Sequence, residues 1–236
     1  LCGTYEVDPM DFPNLVSLAR HLMVDFVVVG SEVPLIAGLA DTLRAAGVPT
    51  VGPGAEAAQL EGSKAFSKRA MVEAGVPTAD YGEFTDVDLA LAYVSDMFRS
   101  GKSVAVKASG SALGKGVTVC LTQEEAEHAV KNAMVEKVFG AAGETVVIEE
   151  CLFGKEFSLL TLVSGADFRS LPVSQDYKRA FDGDRGPNTG GMGTCSPVPW
   201  LNDDLLKRSE DEVVVPLLRS LTAKGIDFRG VLFSGI

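Results

Sequence analysis

The 236 residues are enough for one large domain or two modest ones. Hydrophobic residues make up 46% and charged residues 22%, which is typical of a globular chain rather than a disordered one. The net charge of -11 argues against general nucleic-acid binding, because neutralising a phosphate backbone needs a basic surface. An anionic small substrate would therefore need lysines and arginines placed locally.

The cysteines and the hydrophobic runs bound the cellular location. Cys2, Cys120, Cys151 and Cys195 are scattered without a C-x-x-C, which favours reduced thiols over a disulfide framework or a zinc site. The sequence has no run of 18 apolar residues and no basic-then-apolar start, so we expect neither a membrane-spanning helix nor a signal peptide. These features predict a cytoplasmic protein that does not bind membranes.

The first third of the chain predicts a β-α-β arrangement. Phe26–Gly30 has the pattern of a short buried strand, a helix opens at Pro34 and ends at Gly47, and Pro49–Val51 forms the next strand. This order is typical of a parallel, doubly wound sheet, whose ligands lie at the carboxyl ends of the strands. Glu32 falls in the loop at such an end, either as an ordinary polar residue or as a contact to a small substrate.

A second helix begins within Glu61–Phe66, with Ser63 as the expected N-cap, and stops at Gly75. Lys64 falls in its first turn, where the helix dipole disfavours a cation. An exposed surface lysine would explain this placement, and so would an anion sharing the site.

Val104–Cys120 is a glycine-rich stretch between two β-branched runs. It predicts a strand, a mobile loop that covers the site, and a second strand. Its glycines and lysines are Gly110, Gly114, Gly116, Lys107 and Lys115. Glycines let backbone amides approach a ligand and lysines supply positive charge, a combination that suits phosphate. No P-loop motif is present, so a glycine-rich hairpin with solvated lysines is an equally good interpretation.

Three more helices follow from local signals. Thr85–Asp88 caps a helix that runs to about Arg99, and Thr122–Glu125 is a capping box for another. The last helix covers roughly Asp203 to Ala223, and a buried strand, Gly230–Ile236, closes the sequence. His21 and His128 are the only histidines, which argues against Ser-His-Asp or metal-histidine chemistry.

Thr145–Glu150 predicts a strand that ends in two acids, and Phe157–Val163 with Phe168–Val173 predicts an antiparallel hairpin. A flat base such as adenine could lie at this junction against Leu152, with Glu156 on ribose hydroxyls. The alternative is that the acids merely edge a solvated strand.

Ser174–Arg179 and Gly186–Gly193 belong to a polar, glycine-rich loop of over 20 residues. Loops of this length within a compact domain are usually functional or disordered. Its residues Lys178, Arg179, Asn188 and Thr189 have the composition expected for wrapping a polar anion.

The motifs together resemble one family, phosphoribosylamine-glycine ligase (glycinamide ribonucleotide synthetase), an ATP-grasp family of purine synthesis. The motifs are E-G-S-K-A-F at 61–66, V-K-A-S-G and G-K-G-V within 106–117, V-I-E-E at 147–150, S-Q-D-Y-K-R at 174–179 and G-P-N-T-G-G-M-G at 186–193. The resemblance covers about residues 26–236 in unbroken order. The first and last motifs are the most specific to this ligase, whereas V-K and E-E are common to ATP-grasp proteins.

The resemblance implies an α/β protein with an ATP-grasp fold and a partial Rossmann-like N-terminal domain. It implies an N-terminal domain at 1–81, a lid at 82–151 and a central ATP-grasp domain at 152–236. The implied reaction joins glycine to 5-phosphoribosylamine through a glycyl phosphate, with ATP and Mg²⁺ or Mn²⁺. Phosphoryl transfer of this kind needs mainly positioning and charge neutralisation.

The resemblance also assigns residues. The implied ATP site consists of Lys64, Lys107, Gly114, Lys115, Gly116, Glu149, Glu150, Leu152 and Glu156. The implied substrate site consists of Glu32, Asp176, Lys178, Asn188, Thr189 and Gly190. Lys64 and Lys107 would hold phosphates, Glu149 and Leu152 would meet adenine through their backbone, and Lys115, Asp176 and Lys178 are the expected catalytic residues. No residue is assigned to the metal.

The sequence departs from the family pattern at two positions and at both ends. Ser109 stands where the family usually has Asp, and Tyr177 stands where it usually has His. The family's glycine-rich first turn is expected upstream of residue 1, and its segment with the magnesium ligands is expected after Ile236. We therefore expect a part of a longer ligase. The alternatives are another ATP-grasp carboxylate-amine ligase and, for this chain alone, a non-catalytic ATP-binding module.

Overall fold

A computed structural model of the protein describes residues 3–112, 116–183 and 185–236, with Pro187 and Asn188 described by their backbone only. The helices in these ranges are α1 (Phe12–His21), α2 (Glu32–Ile36), α3 (Leu39–Ala45), α4 (Gln59–Gly62), α5 (Lys64–Ala74), α6 (Val87–Arg99), α7 (Gln123–Met134), α8 (Asp203–Ser209) and α9 (Val215–Ala223). The strands are β1 (Val27–Val28), β2 (Thr50–Val51), β3 (Tyr81–Phe84), β4 (Val104–Ala108), β5 (Val117–Cys120), β6 (Val146–Glu150), β7 (Ser158–Ser164), β8 (Asp167–Ser170), β9 (Gln175–Asp176), β10 (Arg179–Phe181), β11 (Arg185–Asn188), β12 (Thr194–Cys195) and β13 (Arg229–Gly235).

β1 and β2 pair in parallel, which confirms the predicted β-α-β order. The prediction of a buried first strand is wrong, because Val28 is 61% exposed. Successive side chains of a strand point to opposite faces, so Val27 and Val29 pack on α1 and α3 while Val28 does not. The predicted helix from Pro34 to Gly47 is in fact α2 and α3, separated by Gly38 in the left-handed conformation (φ 93°).

The predicted start and stop of α5 are confirmed. The Phe66 backbone N–H donates to the Ser63 hydroxyl at 3.2 Å, and Gly75 ends the helix with φ 71°. The predicted caps of the later helices also form, with Asp86 as the N-cap of α6 and a capping box of Thr122 and Glu125 at α7. These signals are local, which is why the sequence predicts them well.

An antiparallel sheet with the order β3-β6-β4-β5, here called the lid sheet, occupies the middle of the chain. Its inward side chains pack with α6 and α7 in one core. The buried residues of this core include Ala90, Val94, Val104, Val106, Cys120, Ala126, Val130, Val146 and Ile148. The predicted pair of strands around the glycine-rich loop is confirmed, with Lys107 opposite Val117.

A second antiparallel sheet has the order β13-β7-β8 and is called the central sheet. One face packs against α5 and α9, in a core that includes Ala70, Leu159, Val163, Leu217, Leu218, Leu221 and Leu232. The other face exposes Leu162, Val231 and Phe233, so the prediction that the last strand is buried holds for alternate residues only.

The predicted last helix has an interruption. A π-helical turn at Glu210–Val214 separates α8 from α9, just before Pro216. Proline has no N–H to donate to the carbonyl four residues earlier, and a wider turn accommodates this loss. The predicted long loop also has more order than expected, because β9 pairs with β12 and β10 pairs with β11. No helix among the described residues has the length and hydropathy needed to span a membrane.

Candidate functional site

The pairing of β4 with β6 brings a lysine and a glutamate together. Ala105 lies opposite Glu149 and Lys107 lies opposite Val147, so Lys107 and Glu149 are diagonal neighbours on one face of the lid sheet. Lys107 Nζ contacts Glu149 Oε1. The Glu149 side chain is 8% exposed and that of Lys107 is 26% exposed, so the lysine is the member of the pair that solvent or a ligand can reach.

A second lysine reaches the same carboxylate from α5. Lys68 Nζ forms an ion pair with Glu149 Oε2 at 2.5 Å, although its approach is not that of a directed hydrogen bond. It donates to Thr78 Oγ1 at 2.7 Å and to the Ala79 carbonyl at 3.4 Å. The Tyr81 ring centroid lies 5.4 Å from Lys68 Nζ. Lys68 is thus buried with polar or aromatic partners around its ammonium group.

The loop after β4 fixes the N-terminus of α5 beside these residues. The Lys64 N–H donates to the Ser109 carbonyl at 2.8 Å, and the Ala65 N–H donates to the Ser109 hydroxyl at 3.1 Å. The hydroxyl oxygens of Ser63 and Ser109 lie 3.3 Å apart. Ser109 therefore supplies an acceptor to buried amides of a helix N-terminus that have no partner within the helix, a role that the family's Asp could also fill.

Lys64, Lys68 and Lys107 lie near one another, and one carboxylate serves two of them. Burial lowers the pKa of Lys107 to about 8, and the positive charges of Lys68 and Lys64 add to this decrease, while Cys151 and Glu156 oppose it. Burial also lowers the pKa of Lys68 to about 8, and it lowers the pKa of Lys64. A partly buried excess of positive charge of this kind is suited to binding an anion.

A second polar group lies beside the central sheet. Lys178 Nζ is 3.5 Å from Asp176 Oδ2 and 3.8 Å from Glu156 Oε2, and the Ser158 hydroxyl donates to Asp176 Oδ1 at 3.2 Å. These contacts bring three of the predicted site residues together. An open cleft of about 430 Å³ adjoins them, lined by Ser158, Leu160, Ser174, Asp176, Gly190, Gly191, Gly193, Thr194 and Phe233.

The polar loop attaches to this group through its backbone. The Thr189 N–H and hydroxyl both donate to the Lys178 carbonyl, at 2.7 and 2.9 Å, and Gly190 lines the cleft. Asn188 lies opposite Arg179 in the pairing of β10 with β11, and its side chain is outside the described structure. Thr189 and Gly190 are therefore adjacent to Asp176 and Lys178.

Other predicted residues lie apart from these groups. The Glu150 carboxylate pairs with Lys102 at 2.9 Å, and Lys102 also contacts Asp80. Hydrogen bonds to Asp80 and Glu150 raise the pKa of Lys102. Glu32 is exposed in the first turn of α2 rather than in a loop. In the part of the chain that the structure describes, no side-chain hydrogen bond or ion pair joins Glu32 to another predicted site residue.

The remaining predictions concern the glycine-rich loop and the segment after β6. Gly114 and Lys115 lie outside the described residues. Gly116 is buried, and its carbonyl accepts from the Ala108 N–H at 2.8 Å. Leu152 is 68% exposed just beyond β6, where an apolar surface could be covered by a flat ligand.

Sequence reasoning missed Lys68. One signal could have found it, because Lys64 and Lys68 are four positions apart in a helix, where like charges destabilise each other unless an anion lies between them. The sequence assigned no metal ligand either. Over residues 3–112, 116–183 and 185–236, no group of three or more His, Cys, Asp or Glu side chains is arranged to hold a metal ion.

The two antiparallel sheets and the lysine cluster that joins α5 to the lid sheet define a protein of the ATP-grasp class. The biotin carboxylase domain of Hydrogenobacter thermophilus 2-oxoglutarate carboxylase, solved with MgADP, ADP and bicarbonate, shares this fold. Its TM-score is 0.71 at 20% identity, covering 98% of this chain and 49% of that one. The Thermotoga maritima phosphoribosylamine-glycine ligase matches with a TM-score of 0.71 at 35% identity, covering 79% of this chain and 46% of that one.

The chain belongs to the phosphoribosylglycinamide synthetase family. The profile of the family's ATP-grasp (A) domain matches residues 62–236, and that of its N domain matches residues 2–61. The phosphoribosylamine-glycine ligase of Yersinia pestis is 44% identical over 231 residues, and that of Xylella fastidiosa is 45% identical over 235. These matches cover 98% and 100% of this chain but 53% and 54% of the relatives, so the chain spans about half their length.

Proposed function

We propose that this chain supplies the ATP-binding part of a ligase that joins glycine to 5-phosphoribosylamine, giving glycinamide ribonucleotide, ADP and phosphate in purine biosynthesis. The observation that carries the proposal is the contact of Lys107 and Lys68 with the buried Glu149, beside Lys64. This cluster has more positive than negative charge, and phosphoryl transfer depends on such compensation. The family membership and the relatives' names support the choice of reaction.

The proposed nucleotide contacts follow from the placement of each side chain. Lys64 and Lys107 neutralise phosphates, and the exposed Leu152 covers one face of adenine. The backbones of Glu149 and Glu150 meet the base, since their carboxylates are already paired with lysines. Glu156 binds the ribose hydroxyls. Gly114, Lys115 and Gly116 are proposed to belong to a loop that closes over the phosphates.

The proposed substrate site lies in the cleft beside the central sheet. In the reaction, a carboxylate oxygen of glycine attacks the γ-phosphorus of ATP and ADP leaves. The amine of 5-phosphoribosylamine then attacks the carbonyl carbon of the acyl phosphate and phosphate leaves. Lys178 is suited to binding the anionic groups, and the Asp176 carboxylate can accept a hydrogen bond from an amine. Asn188, Thr189 and Gly190 would contact the substrate, and Glu32 is the least supported member of this set.

The metal and the cellular setting belong to the same proposal. Mg²⁺ or Mn²⁺ would enter with ATP and compensate the charge of its phosphates. Its ligands would come from a further segment of a longer protein. Of the proposed division into 1–81, 82–151 and 152–236, the lid at 82–151 is supported by its separate core, whereas α5, within 1–81, packs in the core of the central sheet. A cytoplasmic location agrees with the free thiols of Cys120, Cys151 and Cys195.

The experiment that tests this proposal is an ADP-release assay with ATP, magnesium, glycine and 5-phosphoribosylamine. It should be run on this chain and on a protein of the relatives' full length that carries it. ADP release that requires both glycine and 5-phosphoribosylamine supports the proposed ligase. ATP binding without release by either protein would leave an ATP-binding module, and release with a different acid or amine would indicate another ATP-grasp ligase.

A further inference from the structure

We propose that Lys68 is a positioning residue, which holds the buried Glu149 carboxylate in place and so leaves Lys107 available to an anionic ligand. Lys68 does not touch the ligand in this account. The expected effect on ATP binding rests on the proposed function. The competition of Lys68 and Lys107 for the Glu149 carboxylate does not.

Lys68 has the environment of an internal counter-ion. Its ammonium has three N–H groups, and three acceptors surround it: Glu149 Oε2 at 2.5 Å, Thr78 Oγ1 at 2.7 Å and the Ala79 carbonyl at 3.4 Å. Its side chain is 9% exposed. A lysine whose ammonium is enclosed by three acceptors and has almost no accessible surface cannot serve a ligand without giving up a partner.

Lys107 has the opposite environment. Its side chain is about a quarter exposed, and among the described residues Glu149 is the acidic group within ion-pair distance of its ammonium. Two of its three N–H groups are thus not used by that carboxylate. Lys64, at the N-terminus of α5, adds a second positive charge near Lys107.

The buried carboxylate decides which lysine is free. A carboxylate as buried as that of Glu149 needs a counter-charge, because an unpaired buried charge strongly destabilises the fold. While Lys68 provides this charge, Lys107 can leave Glu149 for an incoming phosphate. Without Lys68, Glu149 would depend on Lys107 alone, and a ligand would have to break their pair.

The first test needs no nucleotide. Lysines are acetylated with limiting acetic anhydride at pH 8, and the rate at Lys107 is read by peptide mass spectrometry. Loss of Lys68 removes a neighbouring positive charge and tightens the pair with Glu149, so Lys68→Met should slow acetylation of Lys107 at least about threefold. The double variant Lys68→Met/Glu149→Gln should restore the rate, because the competing carboxylate is gone.

Lys102→Met is the matched control. Lys102 pairs with Glu150 and Asp80, so its loss should leave the Lys107 rate unchanged. Equal Lys107 rates in wild type and Lys68→Met would overturn the proposal. If Lys68→Met does not give the wild-type circular dichroism spectrum, Lys68→Gln, which keeps a donor for Thr78, takes its place with the same expectations.

The second test titrates ATP by calorimetry. Lys68→Met should weaken binding about tenfold, and the double variant should regain most of this loss, the non-additivity expected of groups in contact. Lys68→Arg, which keeps the charge, should stay close to wild type. If Lys68 only fills space, the double variant will bind no better than Lys68→Met, and the proposal fails. If wild type binds no ATP, the proposed function is contradicted, while the acetylation rates still decide the role of Lys68.

Discussion

Lys68 Nζ lies 2.5 Å from Glu149 Oε2, and Lys107 contacts the other oxygen of the same carboxylate. This relationship joins α5, which packs on the central sheet, to two strands of the lid sheet. It places positive charge between the core of the lid sheet and the core of the central sheet. The proposed ATP site depends on that junction more than on any single motif.

Lys107→Ala should weaken ATP binding about tenfold to a hundredfold, because a hydrogen bond to a charged group contributes about 1.5–3 kcal/mol. Glu149 keeps Lys68 as a partner in this variant, so the fold should persist. Calorimetry measures the affinity, and Lys131→Ala, on α7, serves as the control. Unchanged affinity in Lys107→Ala would remove the lysine from the phosphate site.

ATP binding should weaken as the pH rises through about 8, where Lys107 loses its proton. Bound phosphates favour the charged lysine, so its pKa should rise on binding and a proton should be taken up. Affinity is therefore full below the pKa of the free protein and falls above it. Calorimetry in buffers of different ionisation enthalpy measures the uptake. Lys107→Arg keeps its charge over this range and should make the profile shallower, and the pH dependence that remains should come from Lys68. An equally steep profile in this variant would assign the whole effect to another group.

Ser109→Ala should lower the free energy of unfolding by about 1 kcal/mol, because the Ala65 N–H loses its acceptor at the N-terminus of α5. Ser109→Asp restores an acceptor and adds a favourable negative charge there, so it should be at least as stable as wild type. Urea denaturation measures both variants, with the exposed Ser111→Ala as control. A Ser109→Ala protein as stable as wild type would show that the contact contributes little.

Asp176→Asn should spare ATP binding and lower turnover about tenfold or more in a protein of the relatives' length, because the cleft loses a charged acceptor. The Ser158 hydroxyl can still donate to the amide oxygen, so local structure should be kept. Steady-state kinetics with all three substrates measures the effect. Asp167→Asn, at the start of β8, provides the comparison, and equal turnover of the two variants would count against Asp176 as a site residue.

Much of the fold could be predicted because its signals are local. Ser63, Gly75 and the Thr122–Glu125 box act within one helical turn, and the structure has each cap where the sequence places it. Glu32 illustrates the limit. It is the first residue of α2, although the side chain of Ser31 makes no capping hydrogen bond. The bond that usually accompanies a helix start is therefore not made at this position.

Exposure was harder to predict than secondary structure. The run of valines around β1 predicts a buried strand, yet alternate side chains face opposite sides of a two-stranded sheet. The apolar run of β13 also predicts a buried strand, but only one face of β13 is covered. A short apolar run does not reveal how many of its faces will be covered.

The candidate site shows a similar division. The motifs identified Lys107 and Glu149 as separate residues, but their contact depends on the register of β4 against β6. Lys68 and Ser109 enter through contacts between distant parts of the sequence, Glu149 in one case and α5 in the other. Spacing within a motif cannot predict such contacts, because tertiary packing sets them.

The most direct test of the account is magnesium-dependent ADP release by a protein of the relatives' full length that carries this chain. We predict release that requires both glycine and 5-phosphoribosylamine and that Lys107→Ala reduces at subsaturating ATP at least about tenfold. ADP release that is indifferent to either acceptor, or unaffected by Lys107→Ala, would contradict the proposed ligase and its phosphate site.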